Sequence, residues 1–284
     1  MKPWRRWLFG AALLLGFLLL LVFESVLGSH RLTVETVEVR LETLPPELDG
    51  LRIIQLSDVH YGFGWFRHKD RVISVIERVR SLSPDVVVLT GDLLDMSAPP
   101  SLVDALPLEG IKAPLGAYAV LGNHDHAVGQ AVVVRALAGK GINVLVNESV
   151  RLENGGVPFW LVGVDDPFTG EPDLDKALTN VPMDAFKILL AHAPDFAPRA
   201  AEAGLPLVLS GHSHGGQVCL PGVGGLAYPP LGRKYSQGLH RVEGTRTWVY
   251  TNRGLGTSIV PVRLFCPPEV TVLTLRATRE PAPR

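Results

Sequence analysis

Asp58 and His60 stand two residues apart at the end of a short apolar run, Leu51 to Leu56. The run reads as a buried strand, and side chains two apart on a strand point to the same side. A carboxylate and an imidazole converging beyond a strand's C-terminal end suit a divalent metal ion. That edge is also where open α/β sheets bind ligands. Alone, the pair is as consistent with a turn-capping aspartate and a surface histidine. Its meaning depends on what other ligands the chain supplies.

Further strand-like runs end the same way. Asp85 to Thr90 leads to Asp92, and Gly116 to Leu121 leads to Asn123 and His124. Ala185 to Leu190 leads to His192, and Leu205 to Ser210 leads to His212 and His214. Five of the nine histidines fall at these ends, a clustering that ordinary surface placement does not produce. Imidazole, carboxylate and amide oxygen without thiolate suit Mn, Fe or Zn rather than Ca or Mg. The ligands are too many for one tetrahedral ion, and two divalent ions sharing a carboxylate account for them. Such a pair supplies a hydroxide nucleophile at neutral pH and clamps both oxygens of a phosphoryl displacement.

The elements that would position these residues alternate in type. Val34 to Leu41 alternates apolar and polar, as a half-buried strand does. Lys69 to Leu82 has helical periodicity, with Val72, Val75, Ile76 and Val79 on one face. Asp85 to Thr90 is nearly all β-branched and reads as a strand covered on both faces. Ser101 to Leu106 and Val128 to Ala138 read as helices, and Ile142 to Val146 as a strand. Val157 to Val164 pairs in a hairpin across Glu153 to Gly156. Leu239 to Val242, Trp248 to Thr251 and Val270 to Leu275 are late strands, expected to be antiparallel. The pattern is that of an α/β protein. The polar tail, 276–284, is expected to fray.

The 284 residues are 46% hydrophobic and 19% charged, which describes a folded, core-forming chain rather than a disordered one. The net charge of -1 offers no basic track for nucleic acid, so no nucleic-acid partner is expected. Cys219 and Cys266 lack metal-site spacing and read as buried small apolar residues, with a disulfide between them left open. Lys2, Arg5 and Arg6 precede the uncharged run Trp7 to Phe23. That run suits a membrane span; a cleaved signal peptide is the alternative. An anchor with its basic flank in the cytoplasm would put the rest of the chain on the outer side. The chain thus divides into an anchor or signal segment, 1–30, and a catalytic domain, 31–284.

Taken together, Asp58-x-His60, Gly91-Asp92, Gly122-Asn123-His124-Asp125, His192 and Gly211-His212-Ser213-His214 resemble the motif series of the calcineurin-like metallophosphoesterases. A longer likeness takes in Gly215-Gly216-Gln217, Asn252-Arg253-Gly254-Leu255-Gly256 and Pro267-Pro268-Glu269. It is similar to a bacterial membrane-anchored or exported subgroup that includes phosphodiesterases and UDP-2,3-diacylglucosamine pyrophosphatases. The resemblance implies a four-layer α/β/β/α sandwich of two mixed sheets, with a dinuclear metal site at the strand ends. It implies that Asp58, His60 and His214 hold one ion, Asn123, His192 and His212 the other, and that Asp92 bridges them. His124 would face the phosphate without binding metal, and Asp125 would orient His124.

The expected function is metal-dependent hydrolysis of a phosphodiester or pyrophosphate in a lipid-linked or nucleotide-linked substrate. A phosphomonoesterase is the alternative, and a non-catalytic metal-binding scaffold is the alternative from another class. Arg253 is read as a solvated loop arginine that could otherwise reach a phosphate. His126 is read as exposed, with a supporting place behind the metal ligands as the alternative, and His30, His68 and His240 are read as surface residues. Trp65 and Phe66 are read as a hydrophobic lid or a lipid contact.

Overall fold

A computed structural model describes residues 3–278. In chain order the elements are α1 (Pro3–Gly28), β1 (Thr33–Leu41), β2 (Arg52–Leu56), α2 (Lys69–Ser81), β3 (Val86–Thr90) and β4 (Ala117–Val120). Then come α3 (Asn123–Val128), α4 (Gln130–Gly139), β5 (Ile142–Val144), β6 (Glu148–Asn154), β7 (Val157–Gly163), α5 (Leu174–Leu178) and β8 (Lys187–Leu190). The last are α6 (Ala197–Glu202), β9 (Leu207–Ser210), β10 (Cys219–Leu220), β11 (Gly224–Gly225), β12 (Gly238–Arg241), β13 (Trp248–Thr251) and β14 (Glu269–Ala277).

Two mixed six-stranded sheets form the frame, in the orders β1-β14-β2-β3-β4-β5 and β12-β13-β9-β8-β7-β6. Strands β2 to β5 run parallel in the first sheet, and β7, β8, β9 and β13 run parallel in the second. The period of two along β3 explains how they stack. Val86 and Val88 face a core shared with Leu161, Ile188, Leu190, Leu207 and Leu209 of the second sheet. Val87 and Leu89 face outward, against Val72, Val75, Ile76 and Val79 of α2 and Val133 and Leu137 of α4. On the far side, Leu189 and Val208 pack against α5 and α6. The layers are therefore helix, sheet, sheet, helix, as the resemblance implied. Each fully buried aliphatic side chain in such a core contributes about 1.5–3 kcal/mol.

Two polar links fix the sheets against each other at the C-terminal ends of their parallel strands. Gln55 Nε2 in β2 donates to Thr90 Oγ1 (3.0 Å) and to Ser210 O (2.8 Å) at the end of β9. His212 N donates to both carboxylate oxygens of Asp58 (3.0 and 3.1 Å). The strand ends that carry chemistry thus share one end of the sandwich.

Several elements differ from the expectations. Ser101 to Leu106 contains only the end of a single 3-10 turn, Pro100–Leu102, because the segment between Pro100 and Pro107 is too short to nucleate a helix. The helix expected from Val128 is split at Gly129 (φ +126°), so that Asn123 to Val128 form a separate helix, α3. The late strands do not form one antiparallel group. Strand β12 is antiparallel to β13, but β13 is parallel to β9, and β14 crosses into the first sheet, parallel to β1 and antiparallel to β2. Arg276 and Ala277 belong to β14 rather than to a frayed tail, and 279–284 lie outside the described residues. Cys219 and Cys266 are buried free thiols. Residues Trp7–Gly28 of α1 form a stretch long and apolar enough to cross a membrane.

Candidate metal centre

Strand exits aim the polar side chains. Asp58 and His60 follow β2, Asp92 follows β3, Asn123 and His124 open α3 after β4, His192 follows β8, and His212 and His214 follow β9. Five of them, Asp58, His60, Asp92, His212 and His214, have φ between +46° and +67°. Non-glycine residues rarely adopt this region, at a cost of order 1–3 kcal/mol each, and such residues cluster at functional sites. Two glycines make room. A Cβ on Gly122 would sit 2.6 Å from His192 Nε2 and even closer to Asp92 Oδ1, and one on Gly211 would collide with Ser57 Oγ and Asp58 Oδ2.

Ligand-capable atoms of Asp58, His60 and His214 lie within 4.8 Å of one another, as do those of Asp92, His192 and His212. His60 Nε2 is 3.0 Å from His214 Nε2, and His212 Nδ1 is 3.1 Å from His192 Nε2. Asp92 Oδ2 is 3.3 Å from His192 Nε2 and 3.6 Å from His60 Nε2, between the two groups. Donors bound to one ion at about 2.0–2.2 Å lie roughly 3–3.6 Å apart, so these spacings suit shared ions.

The remaining ring nitrogens support that reading. His192 Nδ1 meets Thr90 O (2.6 Å) and His212 Nε2 meets Pro230 O (2.8 Å). Each carbonyl takes the ring proton and leaves the opposite nitrogen as a lone pair facing the cluster. Asn123 Oδ1 is buried without a hydrogen-bond partner. A buried amide oxygen left this way costs free energy unless a cation meets it. The donor set therefore fits two divalent ions.

Charge is concentrated here. Burial opposes ionisation of Asp92, yet His192, His60 and His124 hold its carboxyl well below the usual range. Burial disfavours charge on His192, but Asp92 and Asp58 raise its pKa well above the ordinary value. Burial, with His60 and Arg263 nearby, drives His214 well below its ordinary value. The carboxylates thus demand positive charge, whether as protons on histidine or as bound cations.

The expected partner of His124 is corrected. The Asp125 carboxylate accepts from the backbone amides of Leu93 (3.0 Å), Leu94 (3.1 Å) and Gly122 (3.1 Å). It ties the loop after β3 to the start of α3, and burial beside Asp92 pushes its pKa up to about 6. The carboxylate at His124 is Asp95, whose Oδ2 lies 3.4 Å from His124 Nδ1 and 3.5 Å from His60 Nδ1. Burial disfavours charge on His124, and Asp95 and Asp92 outweigh it to raise its pKa. Met96 N also donates to His124 Nδ1 (3.1 Å), a contact that suits a neutral ring. Nε2 carries a proton in the charged ring, and also in the neutral ring that accepts from Met96 N at Nδ1.

Sequence reasoning also missed Arg263. Its guanidinium is fully buried and donates to the carbonyls of Arg253 (2.7 Å), Gly256 (2.9 and 2.6 Å) and Cys266 (3.1 Å), with Nη2 3.3 Å from His214 Nδ1. A charged residue met mainly by carbonyls leaves no pairing signal in the sequence. Arg253 is not solvated: it pairs with Glu269 (2.8 Å) and Glu35 (2.7 Å) and is committed to structure. His126 is partly buried and pairs with Asp165 (2.8 Å). Phe66 belongs to the core beneath α2, so it is no lid.

A cavity of about 640 Å³ opens over the cluster. Asp92, Asn123, His124, His212 and His214 stand at its polar end, and Phe63, Met96, Phe168, Leu226, Ile259 and Val260 line the rest.

The family model for calcineurin-like phosphoesterases matches residues 51–216. The metallophosphoesterase YkuE of Bacillus subtilis (strain 168) is 35% identical over 252 residues, 86% of this chain and 86% of its own. Phosphodiesterase YaeI of Escherichia coli (strain K12) is 34% identical over 253 residues, 85% of this chain and 88% of its own. A transmembrane protein with a metallophosphoesterase domain from Bos taurus is 37% identical over 261 residues, 86% of this chain and 57% of its own. The crystal structure of TT1561 of Thermus thermophilus superposes with a TM-score of 0.50 at 16% identity, covering 72% of this chain and 90% of that one, a likeness of fold. With motifs, fold and family match in agreement, the chain belongs to the calcineurin-like phosphoesterases and is a phosphoester hydrolase.

Proposed function

We propose that this protein is a membrane-anchored hydrolase with two divalent metal ions that cleaves a phosphodiester or pyrophosphate carried by an amphiphilic substrate. Asp58, His60 and His214 would hold one ion, Asn123, His192 and His212 the other, with Asp92 between them. The ions, when bound, supply Lewis acidity and lower the pKa of the attacking water. His124 presents its Nε2 proton to a phosphate or leaving-group oxygen, stabilising charge as it develops. Asp95 holds His124 in place, and Asp125 braces the backbone on either side.

The observation that carries the substrate class is the cavity. Its metal-capable end is polar, while Phe63, Phe168, Leu226, Ile259 and Val260 offer an apolar wall next to it. An apolar pocket with a few convergent polar groups orients a ligand that has both characters. A nucleotide-linked lipid such as UDP-2,3-diacylglucosamine is one such molecule. The name of the Escherichia coli relative, a phosphodiesterase, supports the diester preference. The apolar α1 and the name of the Bos taurus relative support the anchor, and the basic residues before the span favour a catalytic domain on the outer side.

A substrate panel with Mn tests the proposal: bis-p-nitrophenyl phosphate, p-nitrophenyl phosphate, cyclic AMP and UDP-2,3-diacylglucosamine. A preference for the diester or pyrophosphate substrates is expected. A strong preference for the monoester would overturn it.

A further inference from the structure

The end of α1 is fastened to the wall of the cavity. Arg263 N donates to Ser29 Oγ (2.8 Å) and Ser25 O (3.2 Å), and a Cβ on Gly28 would lie 2.6 Å from Arg263 O. His30, two residues beyond the helix, stacks on Trp65 with ring centroids 3.4 Å apart, and Arg71 lies 3.9 Å from the same ring centre. The 256–266 segment is in turn joined to the β10–β11 hairpin: Cys219 N donates to Leu264 O (2.9 Å) and Leu264 N to Gln217 O (3.0 Å).

Apolar side chains project from both loops. Ile259 is 92% exposed and Val223, in the hairpin turn, 74%; Phe265, Leu226 and Val260 are also exposed. Ile259, Val260 and Leu226 line the cavity as well, so the apolar surface runs from the helix end to the cavity mouth. An exposed apolar patch of this kind marks an interaction surface. Beside it, near Pro261, Arg67 and Arg71 are exposed around the half-buried Trp65, and guanidinium groups so placed settle at a bilayer's headgroup level.

We propose that this face docks on the bilayer that holds α1, so that the cavity opens onto the membrane surface and admits its substrate from the lipid phase. Continuity with α1 selects the bilayer as the occupant. Docking itself rests on α1 being an anchor, and lipid-phase entry rests on the amphiphilic-substrate reading above. It implies a substrate whose acyl part stays in the membrane while its phosphate reaches His124 and the metal ligands.

The test uses the full chain in vesicles of equal parts phosphatidylglycerol and phosphatidylcholine. A Val223→Cys variant carries an environment-sensitive fluorophore, since Cys219 and Cys266 are buried. Met183→Cys, at a 96% exposed residue ahead of the N-terminal end of β8 and so away from the site, is the control. Docking predicts blue-shifted emission at position 223, quenched by an acyl-chain nitroxide lipid and shielded from iodide, while position 183 stays aqueous. Aqueous emission at position 223 would overturn the proposal. So would a blue shift that needs high protein density and is untouched by the nitroxide lipid, which would mark a second copy of the chain instead.

Activity separates the two readings. Val223→Asp with Phe265→Asp should keep hydrolysis of soluble bis-p-nitrophenyl phosphate within about twofold and lower that of a vesicle-borne substrate by about tenfold or more. Quenching without any lipid hydrolysis would sink the substrate class alone. Lipid hydrolysis from an undocked position 223 would sink the docking alone.

Discussion

Asp95 Oδ2 lies 3.4 Å from Nδ1 of His124, which makes Asp95, not Asp125, the carboxylate that governs this histidine. Asp95 with Asp92 raises the His124 pKa against the cost of burial. Proton transfer from charged His124 to a leaving-group oxygen, unlike hydrogen bonding from the neutral ring, is lost as pH rises through that pKa. Asp95→Asn lowers the pKa, so the alkaline limb of the kcat/KM profile should move to lower pH, with activity down about 10–100-fold. Because Asp95 also lies 3.5 Å from His60 Nδ1, metal content is measured in parallel with Mn in excess, where both ions should stay bound. An unmoved alkaline limb would remove Asp95 from this role.

Gly211 is where the chain tolerates no side chain. A methyl group there meets Ser57 Oγ and Asp58 Oδ2, so Gly211→Ala should displace Asp58. The expected cost is about 1–3 kcal/mol in urea unfolding, from overpacking. Metal affinity should fall at least about tenfold. Gly139→Ala, where nothing lies within 4 Å, is the control and should be neutral or stabilising.

Arg253 offers a test of structure against substrate binding. Glu269 is fully buried and takes hydrogen bonds from Tyr250 and Thr271 as well as its pair with Arg253. Arg253→Met strands that carboxylate, at a cost of about 3 kcal/mol. At temperatures where the variant is folded, KM for a diester should be unchanged. A large rise in KM with unaltered stability would instead make Arg253 a phosphate ligand.

Metal removal should register in stability. A chelator should lower Tm, and Mn at about a hundred times its Kd should restore about 2.7 kcal/mol for each ion bound. Asn123→Ala removes the orphaned amide oxygen and should halve the bound metal without unfolding the protein. An unchanged metal content in that variant would exclude Asn123 as a ligand.

The gathering of the candidate ligands at one end was legible because short apolar runs ended repeatedly in metal-capable side chains. That pattern survives without tertiary information, since strand order hardly matters once all the parallel ends share one edge of the sandwich. Asp95 was not legible: three residues past Asp92, it looks like any loop aspartate until the chain folds back over His60. Asp125 was misread because adjacency to His124 suggested contact, whereas α3 turns its carboxylate toward backbone amides. Arg263 was hidden because its partners are carbonyls from distant turns. The pairing of β13 and β14 was hidden because it depends on a crossover between the sheets, which local alternation cannot encode.

The most direct measurement is the metal content of the purified full chain, with Mn supplied, set beside hydrolysis of bis-p-nitrophenyl phosphate. About two ions per chain are expected, with Asp92→Ala losing both the metal and more than about 99% of the turnover. A chain that hydrolyses the diester with no bound metal, or an Asp92→Ala variant with full activity, would contradict a two-metal mechanism.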